Sequence, residues 1–351
     1  NHCNVLTISF SGNYGIEFRA YNNGVAYRFV NYGKKTFEIL QEGVRYELPY
    51  NPMCIVPYVR DFNEKNPNKQ FYNSFENYYT HATLNKLDER RYCFLPLLVE
   101  AADGVKLCIT ESHLENYPGL YLKANGTGFE GLHAPHPKEL KQGGHNNLQM
   151  EVQTTENFIA KIEGERTLPW RIVMISRNDI DLAQNNLSDL LGAPCRLDDT
   201  SWIKPGKVAW DWWNDWNISG VDFIAGINND TYKYYRDFAS KKGIEYVILD
   251  EGWAVNRKAD LMQVIPEIDL KELVDYGKER NVGIILWAGY WAFDRDMENV
   301  CRHYSQMGVK GFKVDFMDRD DQPMTEFYYR TARTAAKYKL LIDFHGAFKP
   351  A

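Results

Sequence analysis

The sequence contains no run of about 18 apolar residues, so it offers no helical membrane span. Positive charge is in the minority: 41 Lys and Arg against 47 Asp and Glu leave a net charge of −6. A general nucleic-acid binder needs a clustered basic surface, so that class of partner is set aside. No basic segment followed by an apolar stretch opens the chain at Asn1, His2 and Cys3, so a secretory leader is absent or already removed. The six cysteines, Cys3, Cys54, Cys93, Cys108, Cys195 and Cys301, have no C-x-x-C spacing. They read as buried or free thiols rather than a zinc site, with disulfides left open. No G-x-G-x-x-G or P-loop follows the first apolar strand expected after residue 200, where a nucleotide-binding sheet would need it, and G-x-S-x-G is absent, which counts against nucleotide sheets and serine hydrolases.

Aromatic residues are in excess. They make up 14% of the 351 residues, and eight of the nine Trp follow residue 200. Two domains are expected from the length. Residues 1–200 read as a sandwich-type β domain. Ile16, Phe18 and Ala20 alternate with polar neighbours, and Asn23-Gly24 predicts a hairpin turn. Leu97–Ala101, Asp103-Gly104 and Val105–Ile109 repeat the pattern. Leu182–Leu191 is expected as one short helix.

Residues 201–351 read as alternating strands and helices. Apolar strands are expected at Val208–Trp213, Tyr246–Leu249, Val282–Leu286, Gly311–Phe316 and Leu340–Phe344. Asp230 or Thr231 is expected to cap the first helix, Gly243 to end it, and Asp269 to cap the next. Such βα units build a parallel sheet, either doubly wound or part of a (β/α)8 barrel. Polar and aromatic residues end every strand, and a barrel brings all such ends to one face. The barrel reading is therefore favoured, with only the first five strands in this sequence.

The strand ends suggest carbohydrate chemistry. In Lys313-Val314-Asp315 the period of two puts Lys313 and Asp315 on the inner face, with Val314 and Phe316 toward the helices. An ammonium beside the carboxylate stabilises negative charge, which suits a nucleophile rather than a general acid. Asp250 and Glu251 stand beside Trp253. Carboxylates accept sugar hydroxyl hydrogen bonds and an indole packs on a sugar C–H face. Trp287 is a further platform candidate and His345 a hydrogen-bonding or acid/base candidate. A metal-dependent amidohydrolase would need His-x-His where Trp210-Asp211-Trp212-Trp213 stands.

Four ordered motifs carry a resemblance. They are Trp210-Asp211-Trp212-Trp213, Tyr246 to Trp253, Gly311 to Gln322 and Asp343 to Pro350, with Thr110-Glu111-Ser112-His113-Leu114 and Glu115 to Gly119 upstream. Together they resemble glycoside hydrolase family 97. The resemblance implies a β-super-sandwich followed by a TIM-type (β/α)8 barrel, and exo-acting hydrolysis of α-galactosides or α-glucosides with Ca2+ at the site.

Within that resemblance Asp315 matches the nucleophile of the retaining branch. The inverting branch carries a base Glu two residues after the fifth-strand His; here that position is Ala347. The implied protein is a retaining α-galactosidase acting on α-galactoside oligosaccharides. Asp315 is the nucleophile, Asp250, Glu251, Trp253, Trp287, Lys313 and His345 bind substrate, and Glu111 is a calcium ligand. The acid/base Glu is expected beyond residue 351, in a longer polypeptide. An α-glucosidase of the same family and a non-catalytic carbohydrate-binding protein are the alternatives. A monomer or homodimer in a bacterial periplasm or other extracytoplasmic space is expected.

Overall fold

The computed structural model describes residues 2–59 and 62–349. Pro350 and Ala351, the end of the last motif, lie outside them. Strands from Asn4 to Ser176 pair antiparallel, and strands from Val208 to Phe344 pair parallel.

The larger antiparallel sheet runs Asn4–Phe10, Tyr14–Tyr21, Gly24–Asn31, Trp170–Ser176, Lys106–Ser112, Leu97–Glu100, Met53–Val56 and Thr80–Thr83, with Arg166–Thr167 beside Gly24–Asn31. A second sheet orders Arg45–Glu47, Gly128–His133, Leu120–Ala124 and Tyr92–Cys93. Alternate residues of the two sheets build a shared core between them. Cys54, Val56, Leu97, Val99 and Ile109 of the first meet Leu120, Leu122, Ala124 and Phe129 of the second. Each such Val, Leu, Ile or Phe side chain contributes about 1.5–3 kcal/mol on burial, enough to fix strand register against a one-residue slip.

Two local expectations change. Tyr21 pairs with Gly24 across Asn22-Asn23, and neither asparagine takes a positive φ. Gly24 is there for close approach: a Cβ would lie 2.5 Å from Leu187 Cδ1 and 2.7 Å from the Val173 carbonyl oxygen. The expected helix Leu182–Leu191 is two short ones, Asp179–Ala183 and Leu187–Leu191. Asn178 caps the first through Asp181 N–H, and the Asn185 side chain accepts from Leu187 N–H, so local polar bonds interrupt the run.

The parallel sheet is Val208–Trp210, Tyr246–Leu249, Gly283–Gly289, Gly311–Asp315 and Leu341–Phe344, in that spatial order. Order equal to sequence is the winding of a barrel, whereas a doubly wound sheet reverses it. Helices Asn229–Lys242, Leu270–Lys278, Met297–Met307 and Gln322–Lys337 connect the strands, with a short Tyr290–Asp294 helix before the third. Val247, Leu249, Ile284, Leu286, Phe312 and Val314 pack on the helices, with Tyr232, Ala239, Leu273 and Phe327. Tyr246, Ile248, Ile285, Trp210 and Leu341 form the opposite, inner layer.

The first helix is capped by Asn228, whose side chain accepts from Thr231 N–H at 3.0 Å, and not by Asp230 or Thr231. Asp269 caps the second helix and Gly243 ends the first, as expected. The first parallel strand stops at Trp210, and a 3-10 turn over Asp211–Asn214 replaces the expected extension to Trp213.

The β hairpin Pro137–Gly143 and Gln149–Thr155 reaches across to the strand ends. Leu148, at its tip, is buried in the barrel-side core, and its carbonyl accepts from Trp291 N–H at 2.9 Å. No described helix is long and apolar enough to cross a membrane.

Candidate active site

On the inner face, every second residue continues the layer toward the C-terminal strand ends. The register pairs Trp287 with Lys313 and Lys313 with Asp343, so these side chains stand side by side. Lys313 is buried, with its Nζ 2.8 Å from Asp250 Oδ2, 3.3 Å from Asp315 Oδ2 and 4.5 Å from the Trp210 ring centre.

The two acids are held in the same way. Asp250 Oδ2 also accepts from Trp210 Nε1 at 2.5 Å, and its Oδ1 from Glu251 N–H at 2.8 Å. Asp315 Oδ2 accepts from Trp287 Nε1 at 3.2 Å, and its Oδ1 from Phe316 N–H at 2.8 Å. One indole, one shared ammonium and the next backbone N–H therefore orient each carboxylate. They differ in access. The Asp315 side chain is 13% exposed and Asp250 6%, and the ammonium sits closer to Asp250. Asp315 is thus the acid with free reach, and Asp250 the one that anchors Lys313.

Asp211, buried under this pair, was not singled out from sequence. Its Oδ1 and Oδ2 lie 3.2 and 3.3 Å from the Asp250 N–H nitrogen, and Oδ2 accepts from Tyr232 OH at 2.7 Å. Burial pushes its carboxyl up to about 6. Its place at a strand end was legible, but its partner Tyr232 lies on a helix and reads there only as part of an apolar stripe.

The remaining candidates divide. Trp287 meets the site through its N–H but is itself buried, so it orients Asp315 rather than offering a face. Trp253 is a correction. It is 1% exposed, donates to the Trp287 carbonyl at 2.9 Å and packs edge-on to Tyr304, so its ring is core and not a sugar platform. Glu251 points to the hairpin tip: Oε2 lies 2.8 Å from His145 Nε2, and Oε1 accepts from Asn146 Nδ2 at 2.8 Å. His345 Nε2 lies 3.3 Å from Asp343 Oδ2, its ring edge-on to Trp210, and the Asp343 hydrogen bond raises its imidazole above the ordinary value. Phe316 does not continue the strand toward the helices. It takes φ +65°, and its ring meets Trp287 and His145.

A family model for glycoside hydrolase 97 matches residues 212–351, and one for the glycosyl-hydrolase 97 N-terminal region matches residues 1–194. The chain belongs to glycoside hydrolase family 97. This family 97 chain is 63% identical over 353 residues to a protein of Bacteroides thetaiotaomicron named retaining alpha-galactosidase, covering 100% of itself and 53% of that protein. It is 33% identical over 198 residues to a probable retaining alpha-galactosidase of Streptomyces bingchenggensis, covering 54% of itself and 29% of that protein. Among solved structures, a family 97 enzyme of Pseudoalteromonas sp. strain K8 superposes with a TM-score of 0.76 at 20% identity, over 98% of this chain and 57% of the other. The chain spans about half the length of the curated relatives it matches, or less.

The calcium expectation meets a different environment in this family 97 chain. Glu111 is fully buried; its Oε1 accepts from Leu120 N–H at 2.8 Å and lies 2.6 Å from Lys349 Nζ, while Oε2 pairs with Arg171. Burial alone would raise this carboxyl, but Lys349 and Arg171 outweigh it and hold it low. Among the described residues no group of three or more His, Cys, Asp or Glu is placed to hold a metal ion. A calcium ion takes 6–8 oxygen ligands. One carboxylate already flanked by two cations is not such a site by itself, so no step below runs through calcium.

The same buried layer sets a pH dependence. Asp320 is buried and accepts from Tyr121 OH at 3.0 Å; burial, the largest cause, pushes its carboxyl up to about 7. An acid raised in the folded state binds more protons there than when unfolded, so stability falls as pH rises. For Asp320 the window runs from about 4, its unfolded value, to about 7. Asp211 adds the same sign up to about 6. Buried His133, lowered by desolvation to about 4, contributes the opposite sign up to its unfolded value of about 6.5, so between pH 4.5 and 7.5 the melting midpoint should fall more, or rise less, in wild type than in Asp320→Asn. An equal slope in wild type and variant would refute the assignment.

Proposed function

We propose that the protein carrying this chain is a retaining α-galactosidase with Asp315 as nucleophile. The observation that carries this reading is the buried Asp250–Lys313–Asp315 triad, in which Asp315 is the more accessible acid on the inner face of the strand ends. The 63% identity to a protein named as a retaining alpha-galactosidase supports the sugar.

Asp315 attacks the anomeric carbon of a terminal α-galactoside. The bond from that carbon to the leaving oxygen breaks, and the oxygen takes a proton from an acid that we place on a Glu outside this sequence. A covalent glycosyl-enzyme forms, and water activated by the same Glu, now a base, releases the sugar with retained configuration. Lys313 faces the attacking carboxylate at 3.3 Å and Trp287 holds its orientation. In this reading Asp250 and His345 bind hydroxyls beside it.

Side-by-side rates on the nitrophenyl α-galactoside and α-glucoside test the sugar. A preference for the galactoside with α-galactose as first product is expected; a glucoside preference or a β product refutes the reading. No hydrolysis of either would favour a non-catalytic carbohydrate-binding protein.

Calcium remains a separate proposal. Glu111 turns to a cation only where further oxygen ligands displace Lys349. Calorimetric titration with Ca2+ should show no binding to this chain alone and binding to a longer form. A periplasmic location is proposed on the family resemblance alone, and cell fractionation tests it.

A further inference from the structure

The residue after each acid is gripped by one and the same loop. Phe316 donates its N–H to Asp315 Oδ1, and Glu251 donates its N–H to Asp250 Oδ1, both at 2.8 Å. The hairpin tip reaches both of these residues. His145 and Asn146 hold the Glu251 carboxylate, each at 2.8 Å. Gln149 Nε2 donates to the Phe316 carbonyl at 3.0 Å and to Asp318 Oδ2 at 2.8 Å. The His145 ring lies on the Phe316 ring, centres 4.5 Å apart and planes at 30°.

The loop itself is pinned to the barrel. Leu148 fills the space over Gly289, where a Cβ would lie only 2.7 Å from Leu148 Cβ. Phe316 at φ +65° occupies a conformation that non-glycine residues rarely keep unless their surroundings impose it. The Gln149 hydrogen bond and the His145 ring are those surroundings. Turning the peptide between Asp315 and Phe316 would remove the N–H that fixes Asp315 Oδ1.

We infer that His145–Gln149, a loop of the β-rich half, is a positioning element that sets the orientation of both acids, Gln149 acting on Asp315 and His145 with Asn146 on Asp250. This rests on Asp315 being the nucleophile. The loop acts through backbone neighbours, so it should govern the chemical step more than substrate affinity.

The test uses the active full-length protein and Gln149→Leu, which keeps volume but removes the donor, alongside Gln149→Ala. We expect kcat to fall about 10- to 100-fold, as for a small misplacement of a reacting group, with KM within about threefold. The rate of covalent labelling by a fluorinated galactosyl fluoride should fall in parallel, while final labelling of Asp315 stays complete. His145→Ala should move kcat in the same direction. Unchanged kcat and labelling rate in a folded Gln149→Leu would overturn the inference, and so would a rise in KM alone. If Gln149→Leu fails to fold, Gln149→Ala and His145→Ala decide by the same readings, and loss of folding in all three assigns the loop a purely structural role and also overturns it. Wild-type label on a residue other than Asp315 would instead overturn the nucleophile assignment.

Discussion

Asp315→Asn should lower kcat by about 10^4–10^6-fold, the range seen when an enzyme loses its nucleophile outright. The substitution keeps shape and one acceptor for Trp287 Nε1 but removes the charge that attacks and that Lys313 faces across 3.3 Å. Asp250→Asn should behave differently. Asp250 binds the ammonium more closely, at 2.8 Å, and Asp211 lies beneath its own N–H, so its loss loosens the triad and substrate binding together. A smaller fall in kcat with a raised KM is expected, with the fluoro-galactoside still labelling Asp315. The near-symmetry of the two acids makes this pair of variants decisive. If Asp250→Asn abolishes labelling and Asp315→Asn only slows it, the two roles are exchanged.

The elements that place this chemistry were legible because they obey simple periods. Tyr246, Ile248 and Asp250 lie on one face of a strand, and so do Lys313 and Asp315; strict alternation carries each face to its end residue. The strand ends thus announced Asp250, Lys313 and Asp315 without any tertiary information. What alternation could not show is where a strand stops being a strand. Phe316 should have continued to the helix side, yet it turns at φ +65° because Gln149 and His145, about 170 residues earlier, take hold of it. Trp253 was misplaced for a related reason. An indole next to two acids looks like a sugar platform, but the Gly252 turn at φ +119° lets the chain fold back and bury the ring against Tyr304. The stretch Gly143-Gly144-His145-Asn146-Asn147 has only the composition of a turn. Its role depends on a docking between halves that no local pattern encodes.

Lys313→Met should be the most informative change after the nucleophile. A buried pair broken from one side leaves an uncompensated charge and costs about 3–5 kcal/mol. Here two carboxylates, Asp250 and Asp315, would be left facing each other without the ammonium between them. For a fold of 351 residues that corresponds to a midpoint lower by roughly 4–7 °C, with activity falling alongside. The double variant Lys313→Met with Asp250→Asn separates the two effects. It removes one of the stranded charges, so much of the lost stability should return, the mark of a strong coupling between neighbours. Activity should not return, because Asp315 still lacks the ammonium that stabilised its charge. A triad that merely filled a barrel layer would give the opposite result. Methionine would then pack in the layer at little cost, stability and activity would move together, and the double variant would show no coupling. Differential thermal melts with parallel kcat measurements on wild type, the two single variants and the double variant distinguish these outcomes.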